Sequence, residues 1–92
     1  MFVQWETCNK PTSLPIALNL AEGALRSCGL PILNPACDGD YQVIGGNSQV
    51  IVSVVCVSQP ADVWMTINAC SADQATAQMA CNQIRALILN NV

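Results

Sequence analysis

Histidine is missing from this chain and charge is scarce, with only three cations and six carboxylates in 92 residues. Without histidine there is no Ser-His-Asp or Cys-His catalytic arrangement and no imidazole metal ligand. Lys10, Arg26 and Arg85 are the only cations. Three scattered cations do not make the basic footprint that a phosphate backbone requires, so nucleic acid is not an expected partner. Anionic membrane surfaces are set aside for the same reason. No run approaches the ~20 apolar residues of a membrane-spanning helix, because Ser53, Pro60 and Asn68 interrupt the longest stretches. The first residues lack the basic and apolar regions of a signal peptide. The default expectation is therefore a cytoplasmic protein with reduced thiols. If Met1 was added to a mature domain, an extracytoplasmic location follows instead.

Charged residues make up 10% of the chain against a usual level of about 25%, yet 52% of it is hydrophobic, which is enough to drive folding. The length suits one domain, residues 1–92. The polar surface has to come largely from amides and hydroxyls, and the chain holds eight Asn and seven Gln. A surface so poor in charge tolerates another copy of itself, so a homo-oligomer, a dimer in the simplest case, is expected.

The pattern along the chain predicts six elements. Residues 1–8 alternate as a half-buried strand with Val3, Trp5 and Thr7 on one face. A helix follows, capped by Thr12 or Ser13, with Pro15 in its first turn and Gly29 as its stop. Its apolar stripe is Leu14, Leu18, Ala21, Leu25 and Cys28, widened by Ile16, Leu20 and Ala24. Residues 31–40 read as a loop. Tyr41 to Ile44 and Gln49 to Val57 are strands joined by a Gly45-Gly46-Asn47-Ser48 turn, in which the glycines are expected to supply positive φ. Val63 to Cys70 is the last strand. Ser71 and Gln74 have the spacing of a capping box for a helix running to about Asn90. Its expected buried stripe is Ala77, Ala80, Cys81, Ile84, Leu87 and Ile88, with Gln78, Asn82 and Arg85 toward water.

The order β-α-β-β-β-α with short links predicts an α+β two-layer sandwich. Its sheet is mostly antiparallel, about four strands, with both helices on one face. Entry of strand 1 through a right-handed crossover would approach a ferredoxin-like arrangement. Were strands 1 and 4 parallel there, Cys8 and Cys70 would lie at the same end of the sheet.

Those two thiols are the redox candidates, because each ends a strand that feeds a helix and a helix N-terminus lowers a thiol pKa. Cys28, Cys56 and Cys81 fit buried apolar positions, where a free thiol behaves as a small hydrophobe. No cysteine pair has C-x-x-C spacing, so no metal or cofactor is expected from them. Cys28 and Cys37 bracket a loop that would suit a disulfide in an exported protein, but six cysteines allow 15 pairings and spacing does not choose among them. Asn34, Asp38 and Asp40 are too few for a calcium loop and read as a turn. No catalytic set emerges.

The interface candidate is the sheet face left uncovered, with Ile51, Val55, Val57 and Trp64. Three functions are expected in turn. The first is a non-enzymatic domain that self-associates through that face. The second is a thiol-active protein using Cys70 with Cys8. The third is a binder of a small apolar ligand in a cleft formed by oligomerisation.

Overall fold

A computed structural model describes residues 1–33 and 41–90. The elements run β1 (Phe2–Lys10), α1 (Leu14–Ser27), β2 (Gln42–Gly46), β3 (Val50–Ser58), β4 (Val63–Ser71) and α2 (Gln74–Asn90). The strands form one sheet in the order β1-β4-β3-β2, and every neighbouring pair is antiparallel. Helix α2 lies chiefly over β1 and β4, and α1 over β2 and β3. The fold is thus an α+β sandwich with an open sheet. Helix α1 connects strands at opposite edges of the sheet that run in opposite directions, so the parallel β-α-β unit of a ferredoxin-like arrangement is not present among the described residues. The loop read at Asn34 to Asp40, including Cys37, lies outside the described residues.

The core follows from the period-two alternation of β3 and β4. Val63, Met65, Ile67 and Ala69 are fully buried under the helices, with Val50, Val52, Val54 and Cys56 beside them. Helix α1 presents Ala17, Ala21, Ala24 and Leu25, and α2 presents Ala77, Ala80, Cys81, Ile84 and Ile88. Small alanines on both helices let them approach the sheet closely. Two stripe assignments change. Ile16 is 52% exposed and Leu87 40%, while the short Ala17 takes the buried place on α1. A side chain as long as Ile16 lies one position off the centre of the contact and projects past it.

The helix ends are specified locally. Gly29, at φ +74°, ends α1, with its N–H on the Arg26 carbonyl at 3.0 Å and the Leu30 N–H on the Leu25 carbonyl at 3.0 Å. This is the paired Schellman pattern, and the buried Leu25 and Leu30 are its apolar seal. The start of α2 differs from the expected Ser71–Gln74 box. Asp73 is the cap: its Oδ2 accepts from the Thr76 N–H at 3.2 Å and from the Thr76 hydroxyl at 2.6 Å. Ser71 is buried instead at the end of β4, where its hydroxyl donates to the Gln49 carbonyl at 2.7 Å and accepts from the Asp73 N–H at 3.1 Å.

The β2–β3 turn also shifts. Asn47 makes it, with its N–H on the Val50 carbonyl and its Oδ1 accepting from the Gln49 and Val50 N–H groups. Gly45 and Gly46 belong to β2 and neither has positive φ. Gly46 is required by close approach: a Cβ there would sit 3.1 Å from Ile51 Cγ1 and 3.2 Å from Leu33 Cδ1.

Two outcomes check this packing. Ile67→Ala, in a fully buried site, is expected to cost about 2–5 kcal/mol in urea unfolding. Ile16→Ala should change stability by less than about 0.5 kcal/mol; equal effects would refute the stripe described. The Thr76 hydrogen bonds hold the Asp73 carboxyl below its ordinary value of 3.8. A lowered folded-state pKa means that its contribution is present above that value and declines as pH falls through and below it. Asp73→Asn keeps a capping side chain but should lose that part of the acid dependence, read from unfolding midpoints across pH 2–5 as chosen conditions.

Candidate functional site

The residues singled out from sequence fall on two different faces. Cys8 is buried on the helix face of β1, opposite Met65. Cys70 is on the other face of β4, opposite Val3 on one side and Ile51 on the other. Because β1 and β4 are antiparallel, the two thiols also sit at opposite ends of the shared ladder. Five residues of strand separate them along β4, about 17 Å, whereas a disulfide needs Cα atoms within about 7 Å. Cys8 and Cys70 therefore do not form a pair. Nor is Cys70 at a helix N-terminus, since Asp73 caps α2 and α2 lies across the sheet from it.

Cys56 and Cys81 are core material, and the partly buried Cys28 packs against that core. Burial pushes the Cys56 and Cys81 thiols up to about 11, and Cys8 and Cys28 are raised for the same reason. Cys81 Sγ donates to the buried Ile67 carbonyl at 3.5 Å. Among the described residues no three cysteine or carboxylate side chains gather where they could hold a metal ion. The depressions in the surface are open ones. One, of about 260 Å³, runs between α1 and α2 beside Gly23 and Leu87. Another, of about 270 Å³, lies between Cys28, the Asn47 turn and Gln83.

The open sheet face is the most extensive feature. The registers arrange it in cross-strand rows: Val3–Cys70–Ile51, Trp5–Asn68–Ser53–Ile44, Thr7–Thr66–Val55–Gln42 and Asn9–Trp64–Val57. None of these side chains is charged. All four interface candidates lie here, but in two groups. Val57 and Trp64 are direct partners with Val55 beside them, while Ile51 joins Cys70 at the far end. The first strand adds residues that its alternation had pointed to a half-buried face. Trp5 is 66% exposed and Val3 62%. The helix-covered face of β1 is instead Gln4, Glu6, Cys8 and Lys10, because polar contacts to α2 replace apolar packing there. With its nitrogen turned to Glu6, the Asn82 amide donates at 2.7 Å, and Arg85 Nε lies 3.9 Å from the Glu6 carboxylate. Arg85 Nε also donates to the Thr7 carbonyl at 3.0 Å, and Lys10 Nζ to the Ile88 carbonyl at 2.8 Å. Asn82 and Arg85 keep the exposure to water expected of them, and from that position they also reach partners on β1. A signal for this was available in the chain: a cation on β1 suits the C-terminal carbonyls of α2.

Both tryptophans of the chain, Trp5 and Trp64, are on the open face. Apolar groups occupy both ends of it, and the Asn68 amide meets the Ser53 hydroxyl at 3.5 Å between them. Among known proteins, no family model and no curated protein matches this chain.

The thiol assignment has a direct outcome. In the native protein Cys56 and Cys81 should resist alkylation and react only when denaturant unfolds the chain, with sites read by peptide mass. A raised thiol pKa holds the folded state protonated while the unfolded chain ionises from about pH 9 upward. Stability should then fall as pH rises from 9 toward about 11, less steeply in Cys56→Ala. Rapid native-state modification of Cys56 would contradict its buried place.

Proposed function

We propose that this protein is a small non-enzymatic domain that self-associates through its open sheet face. The observation that carries the reading is an uncharged four-stranded face bearing both tryptophans, with no described helix over it. Contiguous exposed apolar surface of this kind marks an interaction site, and aromatic residues with few charges are what interface centres hold. A second copy fits best because the pattern is self-complementary. Apolar groups flank a polar centre at both ends, so a twofold axis along the strands, between β4 and β3, sets each end against its like and Asn68 against Ser53 of the second copy. None of the side chains in the four rows is charged, so no like charges meet across them.

Size limits the strength. Four strands of nine residues or fewer span about 500 Å² in plan at normal strand spacing and rise. Standard interfaces bury about 800 Å² per partner. Side-chain corrugation narrows the gap, and the contact falls in the class of reversible association.

The test is sedimentation over a range of concentration. Wild type should exceed the monomer mass, and Trp64→Lys should lower the average assembly size while far-UV circular dichroism stays native, because a charge buried without a partner is costly. The tryptophan emission of wild type should shift to the blue as concentration rises. A wild-type chain that remains monomeric at millimolar concentration would refute the proposal.

A further inference from the structure

The two edges of the sheet are not equivalent. At β2 the chain covers its own edge. Ile32 bridges Gly45, the Leu33 N–H donates to the Ile44 carbonyl at 2.7 Å, and the Gly46 N–H donates to the Pro31 carbonyl at 3.0 Å. At β1 no described segment adds to the ladder, and β4 is its only strand neighbour. Strand β1 pairs through nine successive residues without a bulge and holds no proline. Bulges, prolines and outward charges are the usual devices that block edge-to-edge pairing. The charges of β1 are turned away from the edge: Lys10 onto the end of α2, and Glu6 toward Asn82 and Arg85.

We propose that the β1 edge pairs antiparallel with β1 of a second copy, joining two sheets into one of eight strands about a twofold axis at Gln4. This surface is separate from the open face and does not depend on it.

The register follows from hydrogen bonding. The Cys56 N–H donates to the Tyr41 carbonyl, so Cys56 turns toward β2 and its neighbour Val55 toward β4. The registers carry this alternation on to β1, where Thr7 turns to the edge and its carbonyl accepts from Arg85 Nε. Backbone groups of alternate residues in a strand point to the same side, so Val3 and Trp5 also direct their N–H and C=O groups outward. The Thr7 carbonyl is already taken and Asn9 lies beyond it with its side-chain amide on the Asp62 carboxylate, which leaves Val3 and Trp5 as the consecutive pairing residues. Setting Val3 opposite the partner's Trp5 makes each such pair exchange two backbone hydrogen bonds. It places Gln4 opposite Gln4 of the second copy and keeps the two Glu6 carboxylates from facing each other. On the open face each Val3 then packs against a Trp5 ring, a favourable aliphatic–aromatic cross-strand pair.

The helices allow this. Continuing the sheet sets the two α2 helices two strand intervals apart, about 10 Å, which is a normal interhelix distance. Helix α2 runs in the same direction as β1, with Asn82 and Arg85 near Glu6 and Ile88 near Lys10. One turn back, Gln78 shares the Asn82 side of the helix and comes near the axis. Amides therefore meet amides there. Each Arg85 stays about 10 Å from the axis by helical rise, so the two are separated by more than the screening length of about 8 Å.

The test uses the Trp64→Lys chain, in which open-face contact is disabled, so the two proposals fail separately. A cysteine is introduced as Gln4→Cys or, in a control, Phe2→Cys. Across the axis, position 4 faces itself at about 4.5 Å between Cα atoms, within disulfide reach. Position 2 faces position 6 instead. Mild oxidation at high concentration should give covalent dimers linked 4-to-4 by peptide mass from Gln4→Cys and no 2-to-2 dimers from Phe2→Cys. Amide exchange should show Val3 and Trp5 protected at least tenfold more at high than at low concentration. No 4-to-4 link, equal linking from both positions, or concentration-independent exchange at Val3 and Trp5 would each overturn the edge pairing.

Discussion

The strict alternation of β4 is the constraint on which the rest of the structure depends. Val63, Met65, Ile67 and Ala69 lose all contact with water, while Trp64, Thr66, Asn68 and Cys70 keep some. A slip of one residue would exchange these sets and put the amide of Asn68 into the core. Strand β4 is also central, bonded to β1 on one side and β3 on the other. Its register thus fixes the faces of both neighbours. Both helices then have one side on which to pack, and the other side of the sheet is left without a helix.

Scarcity of charge shapes the surfaces of the molecule. All three cations are engaged within the fold: Arg26 with Glu22 one turn back, Lys10 with the end of α2, and Arg85 with Glu6 and the Thr7 carbonyl. The Arg26–Glu22 pair is exposed and contributes little. The other two tie β1 to α2, where the strand has few apolar side chains to offer. That economy leaves the centre of the open face and the Val3–Trp5 stretch of the β1 edge without a charged side chain, with Asp62 and Arg85 placed beyond them at Asn9 and Thr7. Both proposals rest on that shared physical cause.

The thiols illustrate how environment overrides residue type. Cys8, Cys56 and Cys81 share one apolar core, and their desolvation favours the protonated form. There they pack as small hydrophobes rather than as nucleophiles. The direction of β1 and the faces of the sheet both separate this outcome from the paired-thiol alternative, since an antiparallel neighbour sends Cys8 and Cys70 to opposite ends and their registers place them on opposite faces.

Sequence by itself determined the six elements, their order, the α+β layering and the inward set on β4, because period-two and helical patterns report local burial. It also determined the stop of α1, since Gly29 is needed at positive φ. It did not determine that Asp73 rather than Ser71 caps α2, because both satisfy the same local spacing and only the hydrogen bond of Ser71 to Gln49 across the hairpin decides between them. Nor did it place Val3 and Trp5 outside. Apolar alternation predicts a buried face, but β1 is an edge strand whose inner face is held by Glu6 and Lys10 against α2, and those partners are about 80 residues away in the chain. Sequence placed all four interface candidates, Ile51, Val55, Val57 and Trp64, on one side of the sheet, and all four lie there. Tertiary pairing alone set Ile51 at the far end of that face from Val57 and Trp64 and joined it to Cys70 and Val3, because which residues are neighbours on a surface depends on strand order and direction, and neither is encoded in local periodicity.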